Sequence, residues 1–158
     1  MKAYTLIELL ITVTIIVLFS GASISAYLSF NENRQLDIDA KNFISVLNKI
    51  RLKAVFLEYP RSCVGFSGIS INTSLNASGK RTILSHKINC SDKIYDGLDE
   101  VVLTSSEFSA DFSFDFLPIT GNISDMLDKN IVLQSQSDGT RTISITVDKF
   151  SGTKNEVQ

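Results

Sequence analysis

The residue with the clearest chemical signature in this sequence is Glu8, a single carboxylate inside an apolar run. Between Leu6 and Phe19 every side chain is Leu, Ile, Val or Phe, apart from Glu8, Thr12 and Thr14. A carboxylate at the centre of a bilayer costs about 2.5–3.5 kcal/mol or more, so it marks a functional site whose partner should be sought. A buried cation is the partner that would offset this cost.

The two cysteines, Cys63 and Cys90, are the second candidate site. They fit one disulfide in an oxidising compartment, a reduced buried pair, or part of a metal site. A metal site at these two cysteines would lack two further ligands. We predict strands over Cys63–Ile71 and Thr82–Cys90, joined by a turn-rich tip.

A symmetric hairpin with Asn76 and Ala77 at its tip sets the register of these two strands. Cys63 then lies directly opposite Cys90, and a disulfide can close the hairpin. The same register pairs Ile69 with Leu84 and Ile71 with Thr82, and it places His86 opposite Ser67. The disulfide is therefore favoured over free thiols.

The sequence contains no recognisable pattern of catalytic residues. His86 is the single histidine, and no nucleophile elbow, zinc-protease motif, phosphate loop or dinucleotide fingerprint occurs. We interpret His86 as a solvated or hydrogen-bonded strand residue. The acidic residues around Gly97 are interpreted as a solvated loop, although calcium binding is the alternative; they are Asp92, Asp96, Asp99 and Glu100. We expect no enzyme activity, no cofactor and no metal.

The elements that carry these residues begin with an apolar N-terminal helix. About 20 apolar residues suffice for a helix to cross a bilayer, and the apolar character continues to Phe30. Lys2 before the run favours a cytoplasmic N-terminus. A cleaved signal peptide, with Gly21-Ala22-Ser23 as its cleavage site, an ordinary signal anchor and a buried core helix are the alternatives, but none of them explains Glu8.

Residues 31–59 predict an amphipathic helix that continues from the apolar segment, with Asn31-Glu32-Asn33 as a loosened stretch. Its apolar positions recur at three- and four-residue spacing, which is typical of a helix that buries one stripe against a core; they are Leu36, Ala40, Phe43, Ile44, Leu47, Ile50, Ala54 and Val55. We expect the helix to end near Tyr59-Pro60, because the residue before a proline disfavours helix.

Residues 60–158 predict a β-rich globular head. Besides the hairpin, we expect strands over Glu100–Thr104, Phe112–Phe116, Asn130–Gln134 and Thr142–Asp148, then a Gly turn and a short polar tail. The phenylalanines near residues 108–116 are interpreted as core rather than as a stacking platform for nucleic acid. The fold class is therefore α+β: a long N-terminal helix, part membrane anchor and part amphipathic, packed on a small antiparallel β-sheet head.

Residues 3–11, Ala-Tyr-Thr-Leu-Ile-Glu-Leu-Leu-Ile, resemble the class III signal of type IV pilins and type II secretion pseudopilins. In that family a short basic leader ends in Gly, and an aromatic residue precedes a Thr-Leu-Ile-Glu-Leu run. The resemblance implies a leader over residues 1–3, cleavage by prepilin peptidase between Ala3 and Tyr4, and N-methylation of Tyr4. It implies a filament-core helix over residues 4–30, in which Glu8 pairs with the amino group of Tyr4 on a neighbouring subunit. Ala3 and Tyr4 depart from the usual Gly and Phe.

The C-terminal half more loosely resembles the head of the FimT/GspH group of minor pilins and pseudopilins. Some members of that group bind DNA through basic residues near the C-terminus. Here Lys149 and Lys154 are offset by Asp148 and Glu156, and the net charge of −2 with a pI of about 5.3 also argues against nucleic acid as a partner.

The resemblance implies a structural subunit, a minor pilin or pseudopilin. Its partners would be other pilin subunits, prepilin peptidase and an inner-membrane assembly platform. Its location would be the bacterial inner membrane, single-pass, and then an extracellular or periplasmic filament. The alternative is a secreted or membrane-anchored β-rich binding or adhesion domain with an ordinary signal sequence.

Overall fold

The computed structural model describes residues 5–97, 101–137, 139–150 and 152–157, with side chains described for these residues except 22, 23, 25, 26 and 152–157. In the described part of the chain, one helix, α1 (Leu6–Val55, 50 residues), precedes nine strands. The chain divides into two units, residues 1–34 and residues 35–158. The strands are β1 (Phe66–Ser74), β2 (Ile83–Cys90), β3 (Ile94–Asp96), β4 (Val101–Val102), β5 (Ser106–Phe108), β6 (Ser113–Phe116), β7 (Lys129–Ser135), β8 (Thr142–Asp148) and β9 (Gly152–Val157).

The first unit consists of the apolar part of α1. Helix is continuous through Asn31, Glu32 and Asn33, so the loosened stretch expected there is wrong. Across the described residues, no helix combines the length and the apolar character needed to cross a membrane.

In the second unit, the amphipathic part of α1 packs on the strands with the predicted stripe. The side chains of Leu36, Ala40, Phe43, Leu47, Ile50 and Ala54 are buried there. Phe43 lies at the centre, edge-on to Phe108 with ring centroids 5.4 Å apart. The phenylalanines of β5 and β6, namely Phe108, Phe114 and Phe116, are also buried, which confirms that they belong to the core.

The helix ends four residues earlier than the proline suggests. Glu58 N donates to Lys53 O (2.9 Å) and Leu57 N donates to Ala54 O (3.4 Å), while Leu57 has a φ of 57°. This pattern is a Schellman motif with leucine at the left-handed position where glycine is usual. The backbone therefore stops the helix at Val55, before Pro60 can act.

The strands form two antiparallel sheets rather than one. The first sheet has the order β3-β2-β1-β6, with β4 also paired to β2, and the second has the order β5-β7-β8-β9. Helix and strands share one core, to which both sheets contribute buried Ile, Leu and Val. This arrangement confirms the α+β class and the helix-on-sheet architecture.

The hairpin of β1 and β2 forms, but its predicted register is wrong. Ile69 pairs with Ile88 rather than with Leu84, and Ile71 pairs with His86 rather than with Thr82. The turn is centred on Ser78 and Gly79, where Asn76 Oδ1 accepts hydrogen bonds from Ser78 N (2.9 Å) and Lys80 N (3.0 Å). Gly79 takes the positive φ of 75° that this turn requires.

The later strands match the prediction to different degrees. The bounds of β8 agree with the prediction, β6 starts one residue later than predicted, and β7 is one residue longer at each end. β4 is only two residues long, with Glu100 outside the described residues. Three strands were not predicted: β3, β5 and β9. The expected polar tail is in fact β9, which pairs with β8 from Gly152 to Val157.

Candidate functional site

Thr5 and Glu8 form a capping box at the start of α1. Glu8 N donates to Thr5 Oγ1 (3.4 Å), and Glu8 Oε2 accepts from Thr5 N (3.5 Å) and from Thr5 Oγ1 (3.4 Å). Reciprocal bonds of this kind satisfy donors that the first helical turn leaves unpaired. The Glu8 carboxylate is solvent-exposed in this single chain and bonded to its own helix end.

The apolar side chains that follow Glu8 are exposed as well. Leu9 is 62% exposed, Ile16 is 63% exposed and Phe30 is 65% exposed, although these residue types are normally buried. A contiguous apolar surface of this size marks an interaction with protein or membrane. Met1, Lys2, Ala3 and Tyr4 lie outside the described residues, so the cleavage and methylation site stays a prediction.

The predicted disulfide joins Cys63 to Cys90, with their Cα atoms 5.6 Å apart. This pairing is confirmed, but the predicted geometry is not. Cys63 lies in the loop before β1, and the strand partner of Cys90 is Phe66. The disulfide therefore ties the segment after α1 to the end of β2.

Asp92 reinforces the same junction. Its Oδ1 accepts a hydrogen bond from Val64 N (3.1 Å) and its Oδ2 accepts one from the Tyr95 hydroxyl (3.1 Å). The bond from Val64 N, followed by that from Tyr95, lowers the pKa of the Asp92 carboxyl below its usual value despite an opposing desolvation effect. Ser91 N also donates to Val64 O (2.8 Å), so the Cys63 loop is held at several points.

The acidic loop around Gly97, for which calcium binding was the alternative to a solvated loop, is only partly described. Asp99 and Glu100 lie outside the described residues, and Asp92 is engaged as above. Among the described residues, a compact group of potential metal ligands consists of Cys63, Cys90 and Asp92. Two of its three ligand atoms are disulfide sulfurs, which are not the thiolates that metal ions bind.

Asp39 is a buried carboxylate that sequence analysis missed. It is 5% exposed, and its Oδ2 accepts hydrogen bonds from Ser105 N (3.0 Å), Ser106 N (3.1 Å) and Ser106 Oγ (2.8 Å). These bonds fix α1 to the start of β5. Its burial could have been predicted from its position, because Asp39 lies on the same helix stripe as Leu36, Ala40 and Phe43.

His86 is buried in β2 rather than solvated, with 2% of its surface exposed. Its strand partner is Ile71, so its predicted position opposite Ser67 is wrong. Gly97 lies directly on the imidazole, because a Cβ added there would come within 2.0 Å of His86 Nε2.

Comparison with known proteins adds a fold relationship. No protein-family model matches the chain, and no curated protein matches its sequence. Two crystal structures of the type IV minor pilin FimU of Pseudomonas aeruginosa strain PAO1 do match its structure, with TM-scores of 0.55 and 0.57. The chain has a type IV pilin-like fold.

The pilin-like similarity extends over most of both chains. The matches cover 77% and 80% of this chain and 92% of FimU, at sequence identities of 16% and 18%. At that identity the likeness shows the fold alone. Within a pilin-like fold, α1 is the N-terminal helix and the two sheets form the head.

The roles of Thr5, at the start of α1, and Asp39, within α1, were not predicted from the sequence of this pilin-like chain. Thr5 was quoted only as part of a motif, although threonine three residues before glutamate is the capping-box signature. Asp39 was not named among the candidate residues. Neither position needs a family comparison to be recognised, since spacing on the helix suffices.

Proposed function

We propose that this protein is a structural subunit of a type IV pilus or a type II secretion-like filament, a minor pilin or pseudopilin. Prepilin peptidase cleaves it between Ala3 and Tyr4, and Tyr4 becomes the N-methylated first residue. Residues 4–30 anchor the chain in the bacterial inner membrane, with the N-terminus cytoplasmic. An assembly platform then transfers it into an extracellular or periplasmic filament, in contact with other pilin subunits.

The observation that carries the proposal is the exposed apolar start of α1 in a chain whose fold is pilin-like. Full burial of one Leu, Ile or Phe side chain contributes about 1.5–3 kcal/mol. Exposed apolar side chains recur from Leu6 to Phe30, so packing these helices together in a filament would provide a large stabilisation. The FimU structures belong to a type IV minor pilin, which supports a filament role for this chain.

Glu8 acts in the proposal as the residue that sets axial register. In the single chain its carboxylate bonds to Thr5 at the helix start. In the filament it exchanges these long hydrogen bonds for the free amino group of Tyr4 on a neighbouring subunit. A buried ion pair specifies geometry more reliably than it adds stability, which suits a register role.

Glu8→Ala and Glu8→Gln test this role separately from helix capping. Glutamine can still complete a capping box with Thr5 but carries no charge. We expect both variants to reach the membrane normally. In sheared filaments we expect at least about a hundredfold less of either variant, because one partner of a buried pair would be left unpaired.

Glu32→Gln, a change of the same kind on the same helix, is the matched control and should assemble normally. Normal assembly of Glu8→Gln would reduce Glu8 to a capping residue and refute the register role. Normal assembly of both Glu8 variants would favour an ordinary signal sequence on a secreted or anchored binding domain.

A further inference from the structure

The head contains a cavity of about 550 Å³ beside the disulfide junction. It lies between three parts of the chain: the last turn of α1 with the residues that follow it, the middle of β2, and the end of β3 with the residue that follows it. Its size falls in the range of about 300–1,000 Å³ that is typical of small-molecule sites. The residues lining it are Lys53, Glu58, Tyr59, Pro60, His86, Ile88, Tyr95, Asp96 and Gly97.

The two sides of this pocket are held together by bonds that do not depend on a ligand. The Cys63–Cys90 disulfide joins the loop that carries Tyr59 and Pro60 to the strand that carries His86 and Ile88. Asp92 bonds the same loop through Val64 N and bonds β3 through the Tyr95 hydroxyl. The pocket is thus preorganised, which reduces the entropic cost of binding.

Two tyrosines on the lining are fixed in orientation. The Tyr59 ring stacks on Phe66 with centroids 4.8 Å apart and an interplanar angle of 22°. The Tyr95 ring has Lys93 Nζ 4.5 Å from its centroid, and its hydroxyl is bonded to Asp92. With Pro60 and Ile88 they give the pocket apolar and aromatic surfaces.

The polar groups on the lining have both signs of charge. Lys53 contributes an ammonium group, and Glu58 and Asp96 contribute carboxylates. A charged ligand of either sign would meet a like charge on the lining, and a wholly apolar ligand would desolvate all three groups without replacing their hydrogen bonds. A neutral ligand that has hydroxyl groups along its edge and C–H groups on its face satisfies both parts of the lining.

We propose that this pocket binds a pyranose ring, the repeating unit of a glycan. The axial C–H groups of the sugar pack on the electron-rich face of a tyrosine ring, while its hydroxyl groups donate to carboxylates and accept from an ammonium. This binding belongs to the head and does not depend on filament assembly.

The test is saturation-transfer NMR on the full chain in phosphocholine micelles, which contain no sugar. The probes are the methyl pyranosides of glucose, galactose, mannose and N-acetylglucosamine, each titrated to 50 mM. We expect saturation transfer to the ring C–H protons of at least one probe. Tyr59→Ala should weaken that binding by roughly two- to tenfold through loss of one aromatic face.

Asp96→Asn should weaken binding of the same probe, since the amide replaces one accepting oxygen with a donor. Phe150→Ala is the matched control, because Phe150 is an exposed aromatic on the β8–β9 turn outside the pocket lining, and it should bind as the unmodified chain does. Amide spectra of each variant check that the head is folded. Absence of binding by all four glycosides, or binding equal in all three variants, would overturn the proposal.

Discussion

The two parts of α1 carry similar apolar side chains, but these side chains are exposed in the first part and, on the core-facing stripe, buried in the second. Phe30 is 65% exposed, whereas Phe43, on the same helix, is fully buried against the strands. Leu9 and Leu10 are exposed, whereas Leu36 and Leu47 are buried. Among the described side chains of α1, those that the chain itself buries all come after residue 35.

This contrast indicates that one part of α1 contributes to the stability of the head and the other part to assembly with other surfaces. Residues that the chain itself buries should determine whether the head folds. Residues that it leaves exposed should matter only when another surface covers them. Substitutions of one residue type on either side of the boundary can therefore test the contrast directly.

The largest effect is expected for Phe43→Ala. Removal of a fully buried aromatic side chain costs about 3–5 kcal/mol, and Phe43 also loses its edge contact with Phe108. Native-state hydrogen exchange of the β7 and β8 amides should show that loss as faster exchange. Phe30→Ala is the matched control and should leave hydrogen exchange in the head unchanged. Equally fast exchange in the two variants would contradict the contrast between the two parts of α1.

Asp39→Ala should have the next largest effect, about 1–3 kcal/mol of head stability. The variant leaves the buried donors of Ser105 and Ser106 without their acceptor. Urea denaturation followed by hydrogen exchange would measure it. Asp37→Ala, which removes an exposed carboxylate paired with Lys41, should cost less than about 1 kcal/mol. A similar loss in the two variants would show that Asp39 does not fix α1 to β5.

Leu57→Gly should stabilise the head by up to about 1 kcal/mol, because a left-handed conformation costs a non-glycine residue roughly 1–2 kcal/mol and some side-chain contact is lost. Leu52→Gly, within the last turns of α1, should instead destabilise by roughly 1 kcal/mol. The comparison uses thermal unfolding midpoints of the two leucine variants. Shifts of the same sign would argue against the Schellman motif.

The smallest effect expected is the pH dependence due to Asp92. Its pKa is lowered in the folded head by the bond from Val64 N and then by that from Tyr95, so its stabilisation is present above the unfolded pKa of about 3.9. This contribution is lost as pH falls through the lower folded value. The difference in thermal midpoint between the unmodified chain and Asp92→Asn should therefore shrink below about pH 4. A constant difference would contradict the assignment.

The periodicity of apolar residues predicted the helix stripe and β8 well, because burial of one face imposes that periodicity. The longest strand, β1, was predicted over Cys63–Ile71 but runs over Phe66–Ser74. β8 alternates buried Ile143, Ile145 and Val147 with half-buried polar residues, and its bounds were predicted correctly. The Cys63–Cys90 pairing was also predicted, since there are two cysteines in the chain.

What could not be predicted depends on contacts between distant parts of the chain. β3 and β9 are short or polar edge strands, which form because a neighbouring strand offers its hydrogen-bonding groups. The hairpin register followed from a symmetric tip at Asn76 and Ala77, but the side chain of Asn76 closes a longer turn around Gly79. The helix end depends on Leu57 adopting a conformation that its residue type disfavours.

The proposed processing between Ala3 and Tyr4, which leaves the exposed apolar helix at the start of the mature chain, is tested most directly by the intact mass of the protein. The protein is taken from native membranes and from sheared filaments. We predict a chain that begins at N-methylated Tyr4, with Met1–Ala3 removed. A chain that begins near Ser23 or Ser25 would mean conventional signal cleavage and would remove the apolar surface on which the filament proposal depends. A chain in filaments that still begins at Met1 would contradict processing at Ala3.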